Sequence, residues 1–171
     1  AKQDEEFGIS PVCADAWGDW YCYIAQGKVV SQGVDLSLNG ALTPNWNIGL
    51  GYTYVKSKYA EGEEKGDPYN TVVPKHMFRA FTTYHIPGTG WTVGGNVRAQ
   101  SNSYSTDNVY YIKQSSYALV GLMAKYQLNS QAEISATVDN LFDKKYWYPN
   151  NDLVNHYGEP RRFVVNLKYR F

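Results

Sequence analysis

No run of roughly 18 apolar residues occurs in the 171-residue sequence, so no helix of this chain is expected to cross a membrane. Net charge is absent as well: 16 Lys and Arg balance 16 Asp and Glu with no basic block, which argues against a nucleic-acid partner. Apolar residues nowhere recur convincingly at the helical period of 3.6. The opening residues AKQDEEFGIS lack a charged-then-apolar signal pattern, so either a signal has been removed or the chain begins partway through a larger protein. Cysteine is scarce. Cys13 and Cys22 lie close together in a segment rich in Trp, Gly and Asp, and two readings stand. One is a loop disulfide in an oxidising compartment such as the periplasm. The other is half of a metal site, against which no histidine lies nearby and two ligands cannot fill a structural zinc sphere.

What the chain has in quantity is aromatic residues, 16% of the total with sixteen tyrosines, and alternation. Period two gives about seven strands. The first, near 28–42, puts Val30, Val34, Leu36, Leu38 and Leu42 on one face and Asp35, Ser37 and Asn39 on the other. The second, near 46–58, opposes Trp46, Ile48, Leu50, Tyr52 and Tyr54 to Asn47, Gly49, Gly51 and Thr53. The third (76–86) opposes Phe78, Ala80, Thr82 and Tyr84 to Arg79, Phe81, Thr83 and His85. The fourth (91–104) opposes Trp91, Val93, Val97 and Ala99 to Asn96, Arg98, Gln100 and Asn102. The fifth (115–128) and sixth (132–146) continue the pattern, with a bulge or strand end expected at DNLFDKKYW. The seventh is the terminal RRFVVNLKYRF, apolar at Phe163, Val165, Leu167, Tyr169 and Phe171.

Connections alternate in length. TPN (43–45), PGTG (87–90) and NSQ (129–131) are tight turns; 59–75, 105–114, 147–160 and the segment before 28 are long, polar and aromatic-rich. That is the layout of a bacterial outer-membrane barrel, short turns periplasmic and long loops extracellular. Mean hydropathy of -0.49 is compatible with it, because only every second residue must be apolar. Trp46, Trp91, Tyr126, Tyr169 and Phe171 would form the periplasmic aromatic girdle, and Tyr52, Tyr54 and Tyr146 the outer one. A soluble β-sandwich is the alternative; the strand lengths and the placing of Tyr and Trp at strand ends argue against it. An odd strand count would start the chain outside the cell, whereas bacterial barrels have even counts, and seven strands alone would leave two open edges in lipid. Residues 1–171 are therefore expected to be the C-terminal part of a larger transmembrane antiparallel β-barrel, with the plug and earlier strands outside this sequence.

Val138, Asn140, Leu141, Phe142, Asp143, Lys144 and Tyr146, then Tyr157, Gly158, Pro160 and Arg161 before a strand ending in Phe, form a pattern that resembles TonB-dependent outer-membrane receptors. The stretches QSSYALVGLMAKYQL and SQGVDLSLNGALTPNWNIGLGYTY are similar to that family's late barrel strands, and the likeness is greatest to ferric-siderophore receptors of the hydroxamate and pyoverdine kind. The resemblance implies a barrel of about twenty-two strands with a plugged lumen. It also implies energy coupling to the TonB complex through an N-terminal box that this sequence does not contain. A C-terminal Phe171 after alternating apolar residues, with Tyr169, resembles the signal read by the barrel-assembly machinery. Outer-membrane lipid, lipopolysaccharide and the remainder of the same barrel complete the expected partners.

A ferric siderophore brings its own iron ligands, so no cofactor is expected of the protein, which needs shape, aromatic surface and a few polar contacts. The candidates are Trp17, Trp20 and Tyr21 in the first loop, Arg98 on the inward face, Tyr104 and Tyr110 by the third loop, and Trp147, Tyr148, Asn150 and Tyr157 in the last. His76 and His156 are too far apart, and too poor in carboxylate partners, to suggest direct iron binding. Asn140, Asp143 and Arg161 would tie the last loop down, with Gly158 and Pro160 shaping the turn into the final strand. Uptake of haem, cobalamin or a glycan is a rival cargo on the same barrel. An outer-membrane enzyme would need Ser101, Ser103, His85 and Asp139 to converge, and a passive porin would need charged rings on the inward face.

Overall fold

A computed structural model of the protein describes residues 5–8, 22–25, 27–62, 64–106, 111–149 and 155–171. The described strands are β1 (Glu5–Gly8), β2 (Cys22–Ala25), β3 (Lys28–Thr43), β4 (Trp46–Glu61), β5 (His76–His85) and β6 (Trp91–Gln100). They continue with β7 (Ser103–Thr106), β8 (Tyr111–Gln114), β9 (Tyr117–Gln127), β10 (Ala132–Asp139), β11 (Trp147–Pro149), β12 (Asn155–Tyr157) and β13 (Arg162–Tyr169). Seven of these form one sheet in the order β13-β10-β9-β6-β5-β4-β3, and the hairpins β1-β2, β7-β8 and β11-β12 stand as two-stranded sheets. Among the described residues no helix is long and apolar enough to cross a membrane, which says nothing of a barrel.

The chain divides into two compact units. Unit 1, Ala1–Gly33 with Val55–Thr71, holds the β1-β2 hairpin and the ends of β3 and β4 near the long connection. There Ser31 and Ser57 share a hydroxyl hydrogen bond of 2.8 Å, and Lys28 meets Glu61 at 3.6 Å. Unit 2, Val34–Tyr54 with Val72–Phe171, holds the rest of the sheet and the other two hairpins.

Register keeps the two faces apart across unit 2. Leu50 lies opposite Ala80, Ala80 opposite Val97, and Val97 opposite Val120. Ala124 pairs with Ala136 and Ala136 with Val165, so one face is apolar from strand to strand. Nothing among the described residues covers it: Leu36 is 58% exposed, Val165 68% and Leu167 71%. A soluble sandwich would bury this face against a second sheet. An apolar band left open is the outer wall of a membrane barrel.

Aromatic rings gather where the short turns are. Trp46 packs edge-on against Tyr84 at 6.5 Å while its indole N–H donates to the Thr82 hydroxyl at 2.8 Å. Trp91 sits 4.7 Å from Tyr126, and Tyr169 5.2 Å from Phe171. The turn at 87–90 works because Gly88 takes φ +73° and the Thr89 hydroxyl donates to the Ile86 carbonyl. At the other end of the apolar face the Tyr52 hydroxyl and the His76 ring nitrogen Nδ1 lie 2.8 Å apart, with Tyr54 stacked on the same ring.

Several expectations are corrected. The fourth strand leaves the sheet after Gln100, and residues 103–106 turn aside to pair with 111–114. The connections expected to be loops at 105–114, 147–160 and before 28 all carry hairpins. The sixth strand, read as 132–146 with a bulge or strand end expected at DNLFDKKYW, does end in that stretch, at Asp139, because Asn140 and Asp143 adopt left-handed backbone with φ of 50° and 51°. Asn and Asp tolerate that conformation best after Gly. Tyr146 is not in an outer girdle; only 3% of it is exposed.

Candidate functional site: the inward wall at the long-loop rim

The buried apolar cluster of unit 2 lies at the long-loop end, on the polar face of the sheet. It consists of Tyr117, Leu119 and Tyr146. Tyr117 starts β9 opposite Gln100, which fixes its face. Tyr146 is brought over it by the knotted turn that follows β10, and their rings lie 4.6 Å apart. Tyr148 completes the stack, edge-on to Tyr146 at 5.5 Å. Burial pushes the Tyr146 phenol above its ordinary value, with Tyr148 adding to the rise and the Arg98 guanidinium opposing it.

Side-chain hydrogen bonds hold that turn, as its residue types suggest. Buried Asn140 donates to the carbonyls of Lys144 and Glu159, both at 3.0 Å, and accepts from the Lys144 N–H at 2.8 Å. Asp143 accepts the Arg161 N–H at 3.0 Å, and the Arg161 side chain reaches the Leu141 carbonyl. The Arg161 N–H holds the Asp143 carboxyl below its ordinary value, with Lys145 at 3.1 Å assisting. Gly158 has a different purpose from the one expected. Its backbone is not left-handed; the Tyr146 ring lies where a Cβ would be, so only glycine lets the ring seat.

The hairpins meet at this rim. The Gln114 side-chain oxygen accepts the Trp147 N–H at 2.9 Å, so β8 and β11 are joined. Ser103 on β7 is buried, and its hydroxyl has no hydrogen-bond partner among the described residues. Below the hairpins is a cleft of about 120 Å³ lined by Met77, Arg79, Arg98, Gln100, Tyr117 and Tyr148 among others.

Of the expected ligand residues, Arg98 and Tyr148 come together in that cleft. Trp147 and Tyr157 face each other across the β11-β12 hairpin, Tyr157 almost wholly exposed. Tyr104 stacks on Tyr111 at 5.5 Å in the neighbouring hairpin. Trp17, Trp20, Tyr21, Tyr110, Asn150 and Cys13 lie outside the described residues, as does the side chain of Cys22, so the expected disulfide does too. Tyr169 donates to the Gln131 side chain at 3.4 Å, and Phe171 is fully exposed. Tyr117 and Arg79 were not singled out from the sequence. Inward parity marks both, but what makes them notable is the residue opposite, which only the register gives.

The residues an enzyme would need do not meet. Ser101 accepts the His76 N–H, His85 bonds to Thr92 by the short turn, and Asp139 pairs with Arg162. Among the described residues no cluster of three or more His, Cys, Asp or Glu could hold a metal.

Comparison with known proteins agrees with this architecture. The family model described as TonB dependent receptor-like, beta-barrel, matches residues 4–141. The Ferric-pyoverdine BN7/BN8 receptor of Pseudomonas putida is 34% identical over 157 residues, which cover 91% of this chain and 18% of that protein. The Ferric-pyoverdine M114 receptor PbuA of Pseudomonas sp. (strain M114) is 31% identical over 180 residues, covering 100% of this chain and 21% of its own length. The pyoverdine outer membrane receptor FpvA from Pseudomonas aeruginosa PAO1, solved bound to pyoverdine, superimposes with a TM-score of 0.81 at 27% identity over 99% of this chain and 25% of that one. The chain thus spans only about a fifth of the length of the curated relatives it matches. It is an all-β chain corresponding to the barrel part of plugged receptors, and it belongs to the TonB-dependent receptor β-barrel family.

Proposed function

We propose that the protein to which this chain belongs is an outer-membrane receptor that takes up a ferric siderophore by TonB-dependent transport. The observation that carries the reading is the aromatic wall at the long-loop rim, Tyr117, Tyr146 and Tyr148 beside Arg98, on a barrel whose relatives are named as ferric-pyoverdine receptors. A bulky chelate needs apolar and aromatic surface with a few polar contacts, and iron enters as cargo held by its own ligands. In this reading long loops are extracellular, while short turns and Phe171 lie at the periplasmic rim. The plug, the earlier strands and the TonB contact belong to segments outside these 171 residues. Lipid and lipopolysaccharide meet the apolar face, and the assembly machinery reads the terminal strand.

The test is tryptophan fluorescence quenching of the full-length parent with ferric siderophores, ferric pyoverdine among them, alongside haem and cobalamin. Saturable quenching by a ferric siderophore is expected, weakened about tenfold or more by Tyr148→Ala or Trp147→Ala, as for removing an anchoring aromatic of ~1.4 kcal/mol or more. Binding of haem or cobalamin, with no siderophore bound, would keep the barrel and overturn the cargo.

A further inference from the structure

The inward face of the sheet handles charge in two ways. Across β9, β10 and β13 it pairs opposite signs: Lys125 with Glu133 at 3.3 Å by the short turn, and Asp139 with Arg162, directly across the β10-β13 ladder at the long-loop end, at 3.1 Å. Between β5 and β6 it does the reverse. Arg79 of β5 and Arg98 of β6 are direct cross-strand partners. Like charges in that relation repel, with Cβ atoms only about 4.5–5.5 Å apart. Among the described residues no carboxylate pairs with them. The inward positions around the pair are Gly51 and Leu119 across the strands, with Met77, Phe81, Asn96 and Gln100 along them. Neither guanidinium makes a salt bridge among the described residues. Gly51 adds clearance, since nothing lies within 4 Å of where its Cβ would be.

Both arginines line the cleft below the last hairpin, with Tyr148 and Tyr117 as its walls. At about 120 Å³ it is smaller than the roughly 300–1,000 Å³ of a pocket that takes a whole drug-sized ligand. It has room for one arm. Two guanidinium forks, ten N–H donors between them, facing each other without an anion suit a planar, bidentate acceptor.

We infer that Arg79 and Arg98 form a receptor for a free carboxylate carried by the ferric chelate, with the iron-bearing bulk of the chelate lying above on the aromatic rim. This rests on the ferric-siderophore reading and adds to it a chemical requirement: the cargo keeps an anionic arm that is not used for iron. An acidic residue of the parent's own plug is the competing occupant. The cleft favours the cargo, because it lies among the first residues of β5 and the last of β6, at the long-loop end of both, and is lined by Tyr148 of the last loop.

The test uses the full-length parent with two probes, a ferric siderophore that bears a free carboxylate and the same chelate with that carboxylate capped as a primary amide. The acid form is expected to bind at least tenfold more tightly. Arg79→Gln and Arg98→Gln should each abolish that preference by weakening the acid form far more than the amide, and Arg79→Lys should keep part of it, since lysine retains charge but not the fork. Heat-modifiable gel migration shows that each variant is folded. Equal affinity of wild type for the two probes overturns the inference and leaves the ferric-siderophore reading intact. Gln variants that weaken both probes equally overturn it as well, because the pair then does not read the carboxylate. If wild type binds neither these probes nor any ferric siderophore, the underlying reading fails.

Discussion

Asp143 shows how much one side chain can organise here. Its left-handed backbone ends the run out of β10, one carboxylate oxygen accepts the Arg161 N–H, and the other meets Lys145. Because the charged form is the one held, its folded titration point is depressed. A depressed carboxyl contributes stability above its unfolded value of about 3.9 and loses it as pH falls through the lower folded value. Hydrogen exchange at the Arg161 amide, normalised for intrinsic rate, should therefore show constant protection from neutral pH to about 5. Protection should then fall below about pH 4. Asp143→Ala should remove the excess protection across the range. Protection in wild type that ignores pH down to 3 would mean the carboxylate does not hold the turn. Asn140 was as readable as Asp143 from its motif, because both residue types bond locally to backbone. The need for glycine at 158 was visible, but its cause was not. The cause is a ring twelve residues earlier, brought back by the turn.

At the scale of the strand, adjacent residues of β13 face opposite solvents. Val165 belongs to the apolar row with Ala136 and Ala124, whereas Asn166 lies opposite Ser135 on the inward face. A charged residue on the lipid side of a barrel costs about 2–4 kcal/mol near the midplane, while the lumen tolerates polar change. Val165→Arg should thus lower the denaturant midpoint of the parent folded in vesicles, by about that free energy, while Asn166→Arg should shift it by less than about 1 kcal/mol. Equal effects would deny that the apolar face meets lipid. Period two located all seven sheet strands to within a few residues, except at the long-loop ends of the fourth and sixth. It failed there because those ends are set by pairing partners: 103–106 finds 111–114, and the turn after Asp139 is tied to Glu159.

At the largest scale, the sheet ends in two strands, β3 and β13, each hydrogen-bonded on one side only among the described residues. Unpaired edges are not tolerated in hydrocarbon and template aggregation in water. Expressed by itself, this chain should fail to give a monomeric heat-modifiable band in detergent, whereas the full-length parent should give one. A monomeric, protease-resistant product from the 171 residues alone would show that the sheet closes on itself without further strands.

The sequence by itself determined which residues form strands, which face of each is apolar, and which rim carries short turns. All three follow from local alternation and turn chemistry, which act over two to five residues. It also marked the ties of the last loop, because Asn and Asp bond to nearby backbone. What only the tertiary structure decided is non-local. Cross-strand register set Arg79 against Arg98, and the return of the last loop turned Tyr146 inward over Tyr117. Periodicity fixes the face on which a side chain lies but not its neighbour on the next strand, and the cleft is built from those neighbours.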